Sequence, residues 1–426
     1  MTDINIINKS LKYDNGDIVD IPIIGTNNII FSCTLENTSN EVQKVIISIA
    51  HYYDEKQYDV DFEICEISAN SNLDVVKNYS YNRINDGDIL KIIMFDKTYK
   101  PLCSSINRPY NVYTESDFYN IKEDLGITYN LMNDLILENL IPFNFYGKFN
   151  GNNHSINYNI NSSEEYSGLF SKLVDKTDIN NLRLNGNLKC TSKYAGSLVG
   201  GIISSNSVEI SNIVSNVTVE VNAHSAHFIG GIIGSTAESS NDINLILNNL
   251  IYLGVIKLTS QYANYIGGII GYSKHNITNC IMRGSIVCND KSLIGGICSY
   301  YSGERDKLIS KCVVITNLCN GIIATIANVV KSNCSVKYCY SVDKELPFFY
   351  SIYNRVNNLI LQQSYLTGSC DDLDGIIKTT VYENIKLPAN ESSFPDLDFI
   401  NIYKMSSSNS HPILIGDEIF EKYQEI

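Results

Sequence analysis

The chain has no tryptophan, no basic run, no CxxC pair and no apolar stretch near the length of a bilayer span. Each absence closes off a class of function. Lys and Arg number 32 against 46 Asp and Glu, a net charge of -14, which argues against nucleic acid and anionic membrane surfaces as partners. Apolar runs such as Leu250-Ile251-Tyr252-Leu253 and Cys312-Val313-Val314-Ile315 are far too short for membrane insertion. Residues 1–5 lack a basic n-region and no apolar h-region follows, so cytoplasmic synthesis without a signal peptide is expected. Among the 12 cysteines the closest neighbours are Cys334 and Cys339, which defeats zinc-ribbon and thioredoxin-like readings. Buried, reduced thiols are expected instead, with no metal or other cofactor. The missing tryptophan weighs against a sugar-stacking platform, although 29 tyrosines remain.

What is present is a repeat. Gly230-Gly231-Ile232-Ile233-Gly234 recurs as Gly267-Gly268-Ile269-Ile270-Gly271 and, degraded, as Gly295-Gly296-Ile297-Cys298. An earlier copy is Gly196-Ser197-Leu198-Val199-Gly200. Spacing of roughly 25 to 37 residues signals a solenoid, propeller or array. Within one repeat, Ile277–Gly284, Ser285–Cys288 and Leu293–Tyr300 read as three strands. Each is too short to bury its apolar face alone, so stacking into parallel sheets is expected, with one continuous inward core. Leu182, Ile213, Cys280 and Cys312 read as one inward column. Paired glycines suit corners where a side chain would strike the coil about 4.8 Å away. A phosphate-cradling loop needs a helix after the glycines, whereas Ile-Ile-Gly continues a strand.

Residues 1–105 lack the repeat. The segments 28–35, 45–53, 60–67 and 89–95 alternate or are β-branched, as expected of a β-sandwich. Residues 100–109 read as a linker, and Thr114 as the N-cap of a short helix over 115–125. The repeat region is placed at 113–345. Irregular terminal coils follow over 346–426, where Asp417–Tyr423 reads as a capping helix.

The Gly-Gly-Ile-Ile-Gly units, with Ile277-Thr278-Asn279-Cys280 and Arg283-Gly284-Ser285-Ile286-Val287, resemble the GLUG-motif repeats of bacterial adhesin-like surface proteins. Tyr129–Leu135 and Gly147–Ile156 are similar to the entry coils of that family, and 399–414 to its closing segment, with Tyr403 where the family usually carries Trp. Lys91–Asp96 with Tyr99–Leu102 resembles an Ig-like module of surface proteins. The resemblance implies an all-β protein: an N-terminal Ig-like β-sandwich, then a right-handed parallel β-helix with a C-terminal cap. It also implies adhesion or carbohydrate recognition, although family members are usually exported and no signal or sorting tail is visible here.

The function expected is non-catalytic recognition of a cell-surface glycan or protein receptor. Display on the cell surface or on a phage tail-like particle fits, as a homo-oligomer or part of a larger particle. Tyr300, Tyr301 and Tyr353 are candidate ligand contacts, as is the acidic loop of Asp371, Asp372 and Asp374. The alternative is a polysaccharide lyase or hydrolase, which needs clustered carboxylates on adjacent coils. No Asp or Glu recurs at one repeat position, and Glu304 with Asp306 reads as a solvated loop. His224 and His227 read as a polar corner, His154 as a hydrogen-bonded structural residue.

Overall fold

The computed structural model describes residues 4–314 apart from 16–18, 20–24, 54–55, 84–88, 103–105, 124, 139, 223–226, 240–243, 260–263, 289–291 and 303–306. Beyond 314 it describes mainly strands, the last being Pro412–Leu414. The protein is all-β, with parallel strands forming a curled sheet and one short α-helix among the described residues. Contacts divide it into units spanning 1–132 and 133–426.

In the first unit, β1 (Ile4–Tyr13), β2 (Gly25–Asn37) and β5 (Ser71–Arg83) form one antiparallel sheet, ordered β1-β2-β5. β3 (Gln43–Tyr53), β4 (Lys56–Ile67), β6 (Ile89–Asp96) and β7 (Ile106–Arg108) form another, ordered β4-β3-β6-β7. Alternate residues point inward, and Phe31, Leu35, Val45, Ile47, Ile49, Val75, Ile92 and Met94 share one buried core. The expected linker over 100–109 is partly strand: β7 pairs with β6, and the buried Arg108 donates from Nε to the Val19 carbonyl at 2.7 Å. Helix α1 (Glu115–Asn120) starts at Thr114 as expected. A capping box fixes that start, with Thr114 Oγ1 accepting from Asp117 N and Asp117 Oδ2 accepting from Thr114 N.

In the second unit, strands pair in parallel with equivalents about 30 residues further along. Ile179 pairs with Ile210, Ile210 with Leu247, Leu247 with Ile277 and Ile277 with Ile309. We call each such layer a tier. Leu182, Ile213, Leu250, Cys280, Cys312 and Cys339 form one column, none more than 1% exposed. The inward reading of Leu182, Ile213, Cys280 and Cys312 therefore matches the structure.

Each tier turns more corners than three strands allow. The expected strand 277–284 divides into Ile277–Thr278 and Ile281–Met282 around Asn279, whose φ is 52°. Asn181, Asn212 and Asn249 hold the same place with φ of 54° each. Asparagine tolerates this left-handed conformation better than most residues. Its amide also stacks: Asn212 Nδ2 donates to Asn181 Oδ1 and Asn249 Nδ2 to Asn212 Oδ1, both at 2.9 Å.

The expected strand 293–300 likewise divides, into Leu293–Gly295 and Cys298–Tyr301. At this corner a Cβ on Gly231 would strike the Gly268 carbonyl oxygen and the Tyr252 ring, and one on Gly268 the Gly296 carbonyl and Met282. Gly230 and Gly267 are similarly crowded by the Ile233 and Ile270 carbonyls. Gly196, Gly200, Gly234 and Gly271 also face backbone of the same or a neighbouring tier. Close backbone approach is thus the reason for these glycines. Ile232 N and Ile269 N continue the ladder, donating to the carbonyls of Ile269 and Ile297 at 3.0 and 3.1 Å.

Parallel pairing continues past residue 345. Phe349–Ile352 pairs with Ala327–Val330, and Ile376–Tyr382 with Leu359–Leu366. The expected cap over 417–423 lies outside the described residues.

Candidate functional site

The glycine corner sets two outward rows side by side. The first row passes through Tyr166, Tyr194, Phe228, Tyr265 and Leu293, paired in register. The second passes through Lys172, Gly201, Ser235, Tyr272 and Tyr300. Tyr265 and Tyr272 flank Ile266-Gly267-Gly268-Ile269-Ile270-Gly271, so the sharp turn brings residues of both strands to one surface.

The rings stack because parallel pairing repeats them at nearly the strand spacing. Tyr166 and Tyr194 lie 4.5 Å apart between centroids, Tyr194 and Phe228 6.0 Å, and Phe228 and Tyr265 4.9 Å, with interplanar angles of 17°, 6° and 17°. Tyr272 and Tyr300 stack at 5.2 Å. Edge-on contacts join the rows, Phe228 to Tyr272 at 5.2 Å and Tyr265 to Tyr300 at 5.5 Å. Such pairs contribute about 0.5–1.5 kcal/mol each beyond area burial. Where the second row is small, the first leans over it: a Cβ on Gly201 would meet the Tyr166 ring at 2.6 Å. Tyr166 and Tyr194 are consequently buried, whereas Phe228, Tyr265, Tyr272 and Tyr300 keep partly exposed surface.

Charge gathers at the first tiers. Lys172 Nζ sits 4.2 Å from the Tyr166 ring centroid and Lys193 Nζ 5.1 Å from that of Tyr194, both in cation–π range. Tyr166 Oη donates to Glu238 Oε1 at 2.5 Å. Burial first, then the Glu238 hydrogen bond, pushes the Tyr166 hydroxyl well above the usual phenol range, so it remains protonated. The hydrogen bond to Tyr194 raises the Lys193 ammonium, which stays charged. Nearby, an open groove is lined by Asn161, Ser162, Ser163, Lys189, Thr191 and Glu220, with Lys189 and Glu220 paired at 3.5 Å.

One arrangement resembles a nucleophile with its base. Ser239 Oγ lies 2.9 Å from His275 Nε2. Its hydroxyl, however, is 2.7 Å from the Thr236 carbonyl, and Ser239 and His275 are 3% and 1% exposed. Burial, then Lys307 and Lys274, lowers the His275 imidazole to about 4. With its proton donated to the Thr236 carbonyl, Ser239 Oγ accepts from His275 Nε2, the reverse of general-base activation, and the buried pair has no open access for a substrate. Among the described residues no group of three or more His, Cys, Asp or Glu converges as a metal cage would.

The residues singled out in the sequence fare differently. Tyr300 lies in the second aromatic row. Tyr301, expected beside it at the surface, points inward and is fully buried, because successive strand residues face opposite sides. Tyr353, Asp371, Asp372 and Asp374 lie outside the described residues, as do His224, Glu304 and Asp306. His227 is buried with Nδ1 2.5 Å from the Ser192 carbonyl, and His154 Nδ1 lies 3.4 Å from Asp134 Oδ1. The first aromatic row was missed, although its signal is present. Tyr166, Tyr194, Phe228 and Tyr265 each stand two residues before a glycine of the repeat. No protein-family model matches the chain, and no curated protein matches it.

Proposed function

We propose that the chain is a non-catalytic recognition protein that binds a bacterial surface glycan or protein along the outer aromatic rows of its tiers. In this reading the repeat region is a right-handed parallel β-helix of GLUG-like coils, preceded by an Ig-like module. It is displayed on a cell surface or a phage tail-like particle. The observation that carries the proposal is the double row of rings from Tyr166 to Tyr300, set at fixed intervals on a rigid hydrogen-bonded frame. Stacking uses most ring faces, leaving the partly exposed edges of Phe228, Tyr265, Tyr272 and Tyr300 for a ligand lying across the tiers. Pre-organised side chains lose little entropy on binding, so many weak contacts add up. Display in many copies adds avidity.

The test is attachment of purified protein to immobilised cell-wall polysaccharide and to whole bacterial cells. Saturable attachment, weakened at least tenfold by Tyr265→Ala with Tyr272→Ala, supports the reading. Attachment indifferent to both changes removes the rows from recognition. New reducing ends or unsaturated products would replace the proposal with a polysaccharide-modifying enzyme.

A further inference from the structure

Strand β4 is the edge of its sheet, and its two faces differ sharply in chemistry. One face carries Val60, Phe62 and Ile64, which are 40%, 63% and 58% exposed. The apolar surface continues across the sheet: Ile64 pairs with Ile46 and Ile46 with Phe95, while Phe62 pairs with Ser48 and Ser48 with Ile93. Ile46, Ile93 and Phe95 are partly exposed. A contiguous exposed apolar patch of this kind marks an interaction site more often than scattered single residues do.

The opposite face of β4 carries Asp59, Asp61 and Glu63. Lys77 Nζ reaches Asp61 at 3.0 Å and Glu63 at 3.7 Å, and Tyr79 Oη donates to Asp59 at 3.1 Å. One ammonium among three carboxylates leaves two negative charges in excess. A second copy of β4, paired so that the apolar faces join, would set carboxylate against carboxylate, which is destabilising. The acidic side therefore guards the edge against its own kind, as natural sheet edges commonly do. A strand with apolar residues on one face and basic residues on the other meets both faces favourably.

We propose that the β4 edge binds, by strand addition, an extended polypeptide segment in which apolar and basic residues alternate. Main-chain hydrogen bonds to the edge supply affinity, and the alternating side chains supply selectivity. This surface belongs to the first unit and stands independently of the aromatic rows.

The full chain would be titrated with a capped seven-residue peptide of alternating lysine and valine, labelled for fluorescence anisotropy. A peptide of the same composition with its valines grouped together serves as control. The alternating peptide should bind saturably and at least tenfold tighter than the grouped one. Phe62→Ser, at an exposed position, should weaken it about tenfold with circular dichroism and melting unchanged; Glu63→Lys should weaken it about tenfold and also lower the melting temperature, because it removes a carboxylate partner of Lys77. Should one variant fail to fold, the other retains the test. Equal binding of both peptides would reduce the effect to net charge and overturn the proposal, as would absence of saturable binding. Sedimentation showing a dimer that Phe62→Ser dissolves would overturn it in favour of a second copy.

Discussion

Asn212 and Lys311 occupy the same corner in different tiers, and exchanging their chemistry should move stability in opposite directions. Both are left-handed, with φ of 54° and 52°. Asn212 donates to Asn181 and accepts from Asn249, each at 2.9 Å. Asn212→Ala places a Cβ residue without a compensating amide in that conformation, at about 1 kcal/mol. It also removes two solvent-exposed hydrogen bonds, each contributing about 0.5 kcal/mol. The expected loss is about 2 kcal/mol. Lys311→Asn relieves the same conformational cost and brings an amide beside Asn279, for an expected gain of about 1 kcal/mol. Urea unfolding followed by circular dichroism measures both, read as midpoint shifts at constant slope. If Lys311→Asn is neutral or destabilising while Asn212→Ala costs under about 0.5 kcal/mol, the amide column does not hold the corner.

Gly268→Ala should cost more than about 3 kcal/mol in the same assay, because the new methyl strikes both the Gly296 carbonyl and Met282; a cost under about 1 kcal/mol would refute the close approach. His275 is held at about 4, below an unfolded value near 6.5, so its stabilising contribution is complete above about pH 6.5 and lost as pH falls towards 4. The loss should approach about 3 kcal/mol, and His275→Gln should flatten that part of the stability–pH curve. Cys33, Cys65, Cys190, Cys280, Cys288, Cys298, Cys312 and Cys339 are buried, and peptide-resolved alkylation should label them only once the chain unfolds.

Much of the tiering was legible because the repeat fixes equivalent positions. Leu182, Ile213, Cys280 and Cys312 could be aligned by the polar residue before each, and they are stacked and buried. The glycine corners were readable for the same reason. The left-handed break at Asn279 was not, since Ile277–Gly284 is apolar enough to pass for one strand. Tyr300 and Tyr301 show the limit for sites: adjacent tyrosines look alike in sequence, yet the two-residue strand period sends one outward and one into the core. β1 and β5 escaped notice because Asn and Lys interrupt them, as at Asn8, Lys9 and Lys77. Lys77, buried in β5, pairs there with Asp61 and Glu63.

The claim beneath all of this is that residues about 30 positions apart touch on one outer surface. Replacing both Phe228 and Tyr265 with cysteine and treating the folded protein with dibromobimane, which fluoresces only when both arms react, tests it directly. Bright labelling is expected for Phe228→Cys with Tyr265→Cys, above the wild-type chain and above Phe228→Cys paired with Ile266→Cys, whose side chain points into the core. Equal labelling of the two pairs, or none for the first, would contradict the stacked register.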